Sequence, residues 1–337
     1  MEKLPPSEKA KMLPIVLLAP WLNSIEFKNT FDIIAKSVGD IPIIVDLDRG
    51  YRSESDLPSR QYFRSLLGGE GASERWIDLI QAHDNYIPTV QLRGNEDDAV
   101  LQQIAAFRRF GRGWVFRVEF DGPSELDRAL RFFDPEEPEQ QLIVLDFGWH
   151  DYTLEQQAAC SRIIDRITTI SDQARFVVVS SNFPNDFTEL DNMAPVPIGS
   201  RRLYQSLFST YGNYQMYYGD WGSTKPRKYD GGGSKPLPRI DFPTKDRWII
   251  SRSKEEEWDF FDAAKRVTRL EEWRDRPAIW GTSMIEKTAL NLPGAISTGP
   301  QAIASRVNIH LFLQNNYAVD RVADIPTEAD WVDPIPA

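Results

Sequence analysis

Short apolar runs rich in valine, isoleucine and aromatic residues recur eight times along this chain, and most are followed by a polar turn and a segment with helical periodicity. This alternation is typical of βα units, in which helices separate parallel strands. The runs are apolar throughout, which indicates strands that are buried on both faces. The predicted strands are Pro14–Ala19, Ile41–Asp46, Ile87–Leu92, Trp114–Glu119, Gln141–Asp146, Arg175–Ser180, Tyr214–Gly219 and Arg247–Arg252.

Seven further segments have the period of an amphipathic helix: Asn23–Ser37, Glu74–Ala82, Asp97–Phe110, Ser124–Phe133, Leu154–Ile170, Gly199–Tyr211 and Trp258–Glu272. Eight strands with helices between them predict an α/β fold, a (β/α)8 TIM-barrel-like single domain. The length of 337 residues suits such a barrel with insertions. The alternative is an open doubly wound parallel sheet.

The predicted barrel domain covers residues 13–318, after an N-terminal arm over residues 1–12 and before an acidic C-terminal tail over residues 319–337. Residues 222–243 form a long loop after the seventh strand, with three consecutive glycines and four prolines. Long loops in compact domains often carry function. Ser305–Gln314 is predicted to add a final helix or strand against the barrel.

Charge and composition limit the partners of the chain. The net charge of −11 repels nucleic acid and anionic lipid unless basic residues gather on one face. No apolar stretch is long enough to span a bilayer, and the start of the chain lacks a secretory pattern. Cys160 is the single cysteine, so no intrachain disulfide can form. These features predict a cytoplasmic protein with no membrane partner, in which Cys160 packs in a helix.

The ends of the predicted strands carry the polar side chains that chemistry requires. In barrel enzymes the catalytic groups project from the carboxyl ends of the strands, so these side chains are expected at one mouth. The catalytic candidates are Asp46, Asp48, Glu119, Asp146, His150 and Asp220. The candidates for binding substrate are Trp21, Arg93, Asn182, Trp221, Lys225, Arg227 and Arg252.

Clustered carboxylates shift each other's pKa apart, and their oxygens could also bind a divalent cation such as Mg²⁺. His150 is followed by Asp151, which could orient its ring as a general base, although a lone histidine is also a common structural hydrogen-bonding group. Aspartates at strand ends also commonly cap the next helix. The chain lacks a P-loop, a dinucleotide glycine fingerprint and a paired-histidine zinc motif, which disfavours the corresponding enzyme classes.

Two further expectations concern the end of the seventh predicted strand. The first follows from a closed barrel. Asp220 and Arg252 end the seventh and eighth strands, so they are expected to pair across the mouth. Basic and aromatic residues are also interleaved after the seventh strand, where they could grip phosphate and stack on bases; a solvated basic loop is the alternative. They include Lys225, Arg227, Lys228, Tyr229, Lys235 and Arg239.

Three segments of the chain, Tyr218–Ser223, Asp246–Arg252 and Ser305–Leu311, resemble the beta protein family, which is named after a bacteriophage protein. The resemblance covers most of the chain. It implies a phage-related or bacterial cytoplasmic protein, and it supplies no catalytic residues because no reaction is established for the family. Family members open on a basic, tyrosine-rich strand, whereas this chain has Leu17–Trp21 there, so binding by that strand is not carried over.

Two functions remain open at this level. One is a barrel hydrolase that acts on a phosphate-bearing or sugar-like substrate, with carboxylates and His150 as acid and base and with Arg93 and Arg252 holding the anion. The other is a non-catalytic module of a phage or anti-phage system that binds a protein or nucleic acid.

Overall fold

A computed structural model of the chain describes residues 1–119, 123–150, 152, 154–187, 190, 192–226 and 237–317. Seven of its strands are parallel: β1 (Ile15–Leu18), β2 (Ile43–Leu47), β3 (Tyr86–Pro88), β4 (Trp114–Glu119), β5 (Gln141–Trp149), β6 (Arg175–Ser181) and β8 (Gln215–Asp220). The prediction of a mixed α/β fold with parallel strands is therefore confirmed.

The parallel strands lie side by side in chain order. One sheet has the order β1-β2-β3 and another the order β4-β5-β6-β8. A parallel bridge between Thr89 and Val115 joins them, with the backbone N–H of Val90 donating to the carbonyl of Val115. In the described part of the chain no hydrogen-bonded pairing links β8 to β1. The pairing therefore does not confirm a closed barrel, and an open sheet is compatible with it.

The helices are α1 (Pro6–Lys9), α2 (Lys28–Val38), α3 (Pro58–Leu67), α4 (Ala72–Gln81), α5 (Asp97–Phe110), α6 (Pro123–Phe132), α7 (Leu154–Ile170), α8 (Gly199–Tyr211), α9 (Phe260–Val267), α10 (Trp280–Ala289) and α11 (Gly299–Asn315). The large core lies between the parallel strands and the helices that cover them. On the other face of the strands, Ile44, Val115, Val144 and Val179 form a separate apolar cluster. Burial on both faces explains why these strands are apolar throughout.

The eighth predicted strand belongs to a different sheet, so that part of the barrel prediction is wrong. β10 (Arg247–Arg252) lies between β7 (Met193–Pro197) and β9 (Arg239–Pro243), and both pairings are antiparallel. β7 is an edge strand of this sheet and contains two prolines. Proline has no backbone N–H to donate, so these residues weaken the sequence signal of a strand. β9 lies inside the segment that was predicted as a loop. This sheet packs with α9, α10 and α11 around a second core.

The N-terminal segment is attached to the last helix. Leu4 is buried in the second core, and the carboxylate of Glu8 is almost fully buried. Glu8 pairs with Lys11 and accepts hydrogen bonds from the side chains of Asn315 and Asn316 at the end of α11. The two ends of the described chain therefore meet.

Two smaller expectations were also tested. Cys160 is buried in α7, and burial raises the pKa of its thiol to about 12, as expected for a packing residue. Within the described ranges no helix has both the length and the apolar character that crossing a membrane requires.

Candidate active site

Arg117 is the centre of a charged cluster at the carboxyl edge of the parallel strands. Its side chain lies on β4 and is only 5% exposed. Nη1 is 3.0 Å from Oδ2 of Asp46 on β2, and Nη2 is 2.6 Å from Oδ2 of Asp146 on β5. A single guanidinium therefore joins carboxylates from two other strands.

Asp46 is held in its charged form. Its Oδ1 accepts hydrogen bonds from Thr89 Oγ1 and Gln91 Nε2, each at 2.7 Å, and from the backbone N–H of Leu47. Burial disfavours the charge, but Arg117 and the two side-chain hydrogen bonds outweigh it and lower the pKa of Asp46. Asp46 is a fixed counter-charge.

Asp146 is also fully occupied. Its Oδ2 faces Arg117, and its Oδ1 accepts from the backbone N–H of Gly148 at 3.0 Å and from Nε1 of Trp221 at 3.1 Å. Gly148 has a φ of 62°, a backbone conformation that residues other than glycine rarely adopt. Trp221 follows β8, so its indole ties the end of that strand to β5.

Glu119 differs from the two aspartates. It is two residues after Arg117 on β4 and therefore shares the same face of the strand. Its Oε1 is 2.9 Å from Arg117 and its Oε2 is 3.3 Å from Arg93, yet 35% of the side chain is exposed. Burial raises the pKa of Glu119 above its ordinary value despite these arginines. Glu119 can therefore exchange a proton with a bound molecule more readily than Asp46.

Two further arginines lie beside Glu119. Arg93 forms a two-point contact with Glu125, in which both hydrogen bonds are 2.7 Å. Arg49 donates to Oε1 of Gln91 at 2.7 Å, and the charge of Asp46 acts on it more strongly than those of Arg93, Glu125 and Glu119. Among the described residues, no carboxylate lies within ion-pair distance of Arg49. Of the described arginines at this edge, Arg49 is therefore held by an amide and not by a direct carboxylate contact.

Asp220 lies at the end of β8 in another hydrogen-bonded group, and its predicted pairing with Arg252 is wrong. Its Oδ2 accepts from Nε2 of His310 at 2.7 Å and from the hydroxyl of Tyr218, and its Oδ1 accepts from the backbone N–H of Gly222. These contacts outweigh burial and lower the pKa of Asp220 to about 2. Arg252 lies in the antiparallel sheet, which explains why the two do not meet.

The other predicted residues that the structure describes do not join the Arg117 cluster. Asp48 accepts from the N–H of Gly50 in a turn, and Nδ1 of His150 lies 3.1 Å from Nε2 of Gln156. Asn182 bonds the backbone of Pro197 and Gly199 at the start of α8. Trp21 and Lys225 are exposed. Arg227, Asp151, Asp121, Lys228, Tyr229 and Lys235 lie outside the described residues.

The carboxylates of this edge are arranged around arginine. Across the described residues, no three histidine, cysteine, aspartate or glutamate side chains are grouped as metal ligands. The prediction that carboxylates from several strands converge holds for Asp46, Glu119 and Asp146.

Sequence reasoning missed Arg117, Gln91, Thr89, Glu125 and His310. The signal for Arg117 was present, because it is the one charged residue in the middle of the apolar run from Trp114 to Val118. A buried arginine needs carboxylate partners, so this position could have identified the centre of the cluster. His310 carries no such signal, since its partner is 90 residues away.

The sequence of this chain matches one protein family. The chain is 27% identical over 319 residues to "Protein beta" of Enterobacteria phage P4, and the match covers 90% of this chain and 85% of that protein. No solved structure matches the chain. The model of the family described as Beta protein matches residues 1–315. The chain therefore belongs to the Beta protein family.

Proposed function

We propose that this protein is an enzyme that performs acid–base chemistry on a phosphate-bearing substrate at the edge around Arg117, with Glu119 as the proton-transferring residue. The observation that carries the proposal is that the three carboxylates differ in exposure and in the direction in which their surroundings affect the charge. Arg117 binds Asp46 and Asp146 as fixed counter-charges, whereas Glu119 is partly exposed and has a raised pKa. A carboxyl group whose pKa is raised toward neutrality is suited to general acid–base catalysis.

The surrounding arginines favour an anionic substrate over a neutral sugar. Among the described residues, the side chain of Arg49 hydrogen-bonds only the amide of Gln91, and Arg93 lies between Glu125 and Glu119. A phosphate group could accept hydrogen bonds from the guanidinium of Arg49 while its ester oxygen lies near Glu119. Hydrolysis then requires Glu119 either to take a proton from the attacking water or to give one to the leaving oxygen.

The contacts at this edge also support a closed barrel of parallel strands. Strand order follows the chain without reversal, and Trp221 after β8 reaches Asp146 on β5. We infer that β8 approaches β1 and closes the barrel. Spin labels at Leu13 and Gln215, next to the starts of β1 and β8, test this by pulsed electron resonance: adjacent strands give a short distance, and an open sheet gives a long one.

The test of activity uses the full chain with phosphomonoester, phosphodiester and glycoside substrates bearing a chromogenic leaving group, with and without Mg²⁺. We expect turnover of a phosphate ester. Glu119→Gln should lower kcat by about 10²-fold or more, since general acid–base catalysis contributes that much. Glu74→Gln, an exposed glutamate on α4, is the matched control and should leave the rate unchanged.

Two results would contradict the proposal. Turnover that survives both Glu119→Gln and Arg49→Gln would place the chemistry elsewhere. Phosphate binding without turnover of any of these substrates would instead support the second reading of the chain, a non-catalytic binding module.

A further inference from the structure

Two arginines bind one carboxylate where the antiparallel sheet meets α11, and a third arginine lies beside them on the sheet. Arg239 on β9 and Arg252 on β10 are directly opposite each other, so their side chains extend from the same face of the sheet. Asp241 is two residues after Arg239 on β9 and shares that face. Arg306 reaches the same aspartate from α11.

Asp241 neutralises only part of this charge. Its carboxylate accepts from Nε of Arg239 at 3.0 Å and from Nη1 of Arg306. The side chains of Asp241 and Arg306 are 5% and 4% exposed. Both oxygens of Asp241 are therefore engaged by these two arginines.

Among the described residues, Arg252 has no counter-charge in contact with its guanidinium. The residue is 6% exposed, and within the described ranges its guanidinium has no hydrogen bond or ion pair. Its Nη1 is buried without a partner, and so is Nε of Arg306. An unpaired buried cation is costly, so donors held in this way indicate a site for an anion.

The charges give the class of anion. Among the described residues of this group, the three guanidinium groups carry +3 and Asp241 carries −1, a net charge of +2. A phosphate monoester carries a charge of about −1.5 to −2 near pH 7 and has three acceptor oxygens. A carboxylate or a phosphodiester carries −1 and would leave one positive charge in place.

Two of the three arginines are also held in position before a ligand arrives. The guanidinium of Arg306 lies 4.0 Å from the ring centre of Phe183, and that of Arg239 lies 3.6 Å from the ring centre of Phe187. Stacking on a ring leaves the N–H groups at the guanidinium edge free to donate. Arg239 is the most exposed of the group at 21%, so a ligand would enter on its side.

We propose that Arg239, Arg252 and Arg306 form a binding site for a phosphate monoester. The site uses none of the residues around Arg117, so it does not depend on the proposed acid–base chemistry. The monoester could belong to a small molecule or to the terminal phosphate of a nucleic-acid strand, because both present the same group.

The test is calorimetric titration of the full chain with phenyl phosphate, with diphenyl phosphate as the diester comparison. We expect phenyl phosphate to bind and diphenyl phosphate to bind at least tenfold more weakly. Arg252→Gln should weaken phenyl phosphate binding at least tenfold. The matched control is Arg247→Gln, which changes an exposed arginine on the same strand and should have no effect. Arg49→Gln changes the Arg117 edge and not this site. The Arg49→Gln chain should therefore still bind phenyl phosphate, and adding Arg252→Gln to it should weaken that binding.

Oligonucleotides with a 5′-phosphate or a 5′-hydroxyl distinguish the two sources. Tighter binding of the 5′-phosphorylated strand than of phenyl phosphate assigns the site to a nucleic-acid end, and equal or weaker binding assigns it to a small molecule. If Arg252→Gln does not fold, Arg239→Gln takes its place. The proposal is overturned if the wild-type chain does not bind phenyl phosphate, or if the folded variant binds it as tightly as the wild type.

Discussion

Arg117 and Asp146 lie on neighbouring parallel strands, and Nη2 of Arg117 is 2.6 Å from Oδ2 of Asp146. Both side chains are about 5% exposed, so neither charge is stabilised by bulk water. Their stability contribution depends on each other and on Asp46. Removing one partner from such a group is far more harmful than removing an exposed ion pair.

We therefore expect Arg117→Met to lower the free energy of unfolding by about 3–5 kcal/mol, because it leaves Asp46 and Asp146 buried without their cation. Urea unfolding measures this change. Arg131→Met removes an exposed arginine that is 3.5 Å from Asp97 and should cost less than about 1 kcal/mol. Adding Asp146→Asn to Arg117→Met should cost less than the sum of the single changes. Additive losses would mean that the pair does not couple.

Glu119 should titrate above the ordinary glutamate value of 4.5. Carbon NMR of its carboxyl group, assigned by comparison with Glu119→Gln, measures that pKa. Because the folded-state pKa is raised, Glu119 favours folding most at low pH, and this contribution is lost as pH rises through the folded pKa. Glu119→Gln should therefore flatten the stability profile in that range. A pKa at or below 4.5 would contradict the proposed role of Glu119.

Asp220 should behave in the opposite way. Its pKa falls from 3.8 to about 2, so it contributes stability above pH 3.8 that is lost as pH falls toward 2. The difference corresponds to about 2 kcal/mol. Asp220→Asn should lower stability by about that amount at pH 7 and by progressively less below pH 4, as measured by urea unfolding at each pH.

A double-mutant cycle separates the observed partner of Asp220 from the predicted one. Asp220→Asn should be non-additive with His310→Gln, since the two side chains are 2.7 Å apart. It should be additive with Arg252→Gln. Coupling to Arg252 would restore the closed-barrel prediction for β10.

Glu8 should contribute to the stability of the fold although it lies near the start of the chain. Glu8→Ala removes the carboxylate that accepts from Asn315 and Asn316, and among the described residues their amides keep only the backbone carbonyls of Glu8 and Phe312 as acceptors. Hydrogen bonds to charged groups contribute about 1.5–3 kcal/mol, so thermal or urea unfolding should show a loss in that range. Glu2→Ala is the control, because its contact with Lys36 is 3.6 Å long and largely exposed. An equal effect of both changes would contradict this contact.

The parallel part of the fold was predictable because its strands are short apolar runs whose burial leaves a direct mark on the sequence. Trp114–Glu119 and Leu154–Ile170 have the same bounds in the prediction and in the structure. The antiparallel sheet was not predictable in this way. The apolar residues Trp248–Ile250 suit either kind of sheet, and partner choice depends on β7 and β9, whose prolines and short length weaken their signal.

The candidate site was predictable where it follows from strand ends and unpredictable where it depends on contacts distant in sequence. Asp46, Glu119 and Asp146 end the predicted strands, and in the structure all three contact Arg117. The cation between them was missed because it lies within a strand. Asp220 was assigned the wrong partner because a histidine on the last helix, and not the next strand, lies against it.

The contact of Glu8 with Asn315 also sets an order of events during synthesis. These residues are 307 positions apart, so at about 5–20 residues per second Asn315 leaves the ribosome roughly 15–60 s after Glu8. Until then the carboxylate of Glu8 has Lys11 but not the two asparagines as partners, and the core that buries Leu4 is incomplete. A nascent chain halted before α11 should therefore expose its N-terminal segment to proteases, and completion of that helix should protect it.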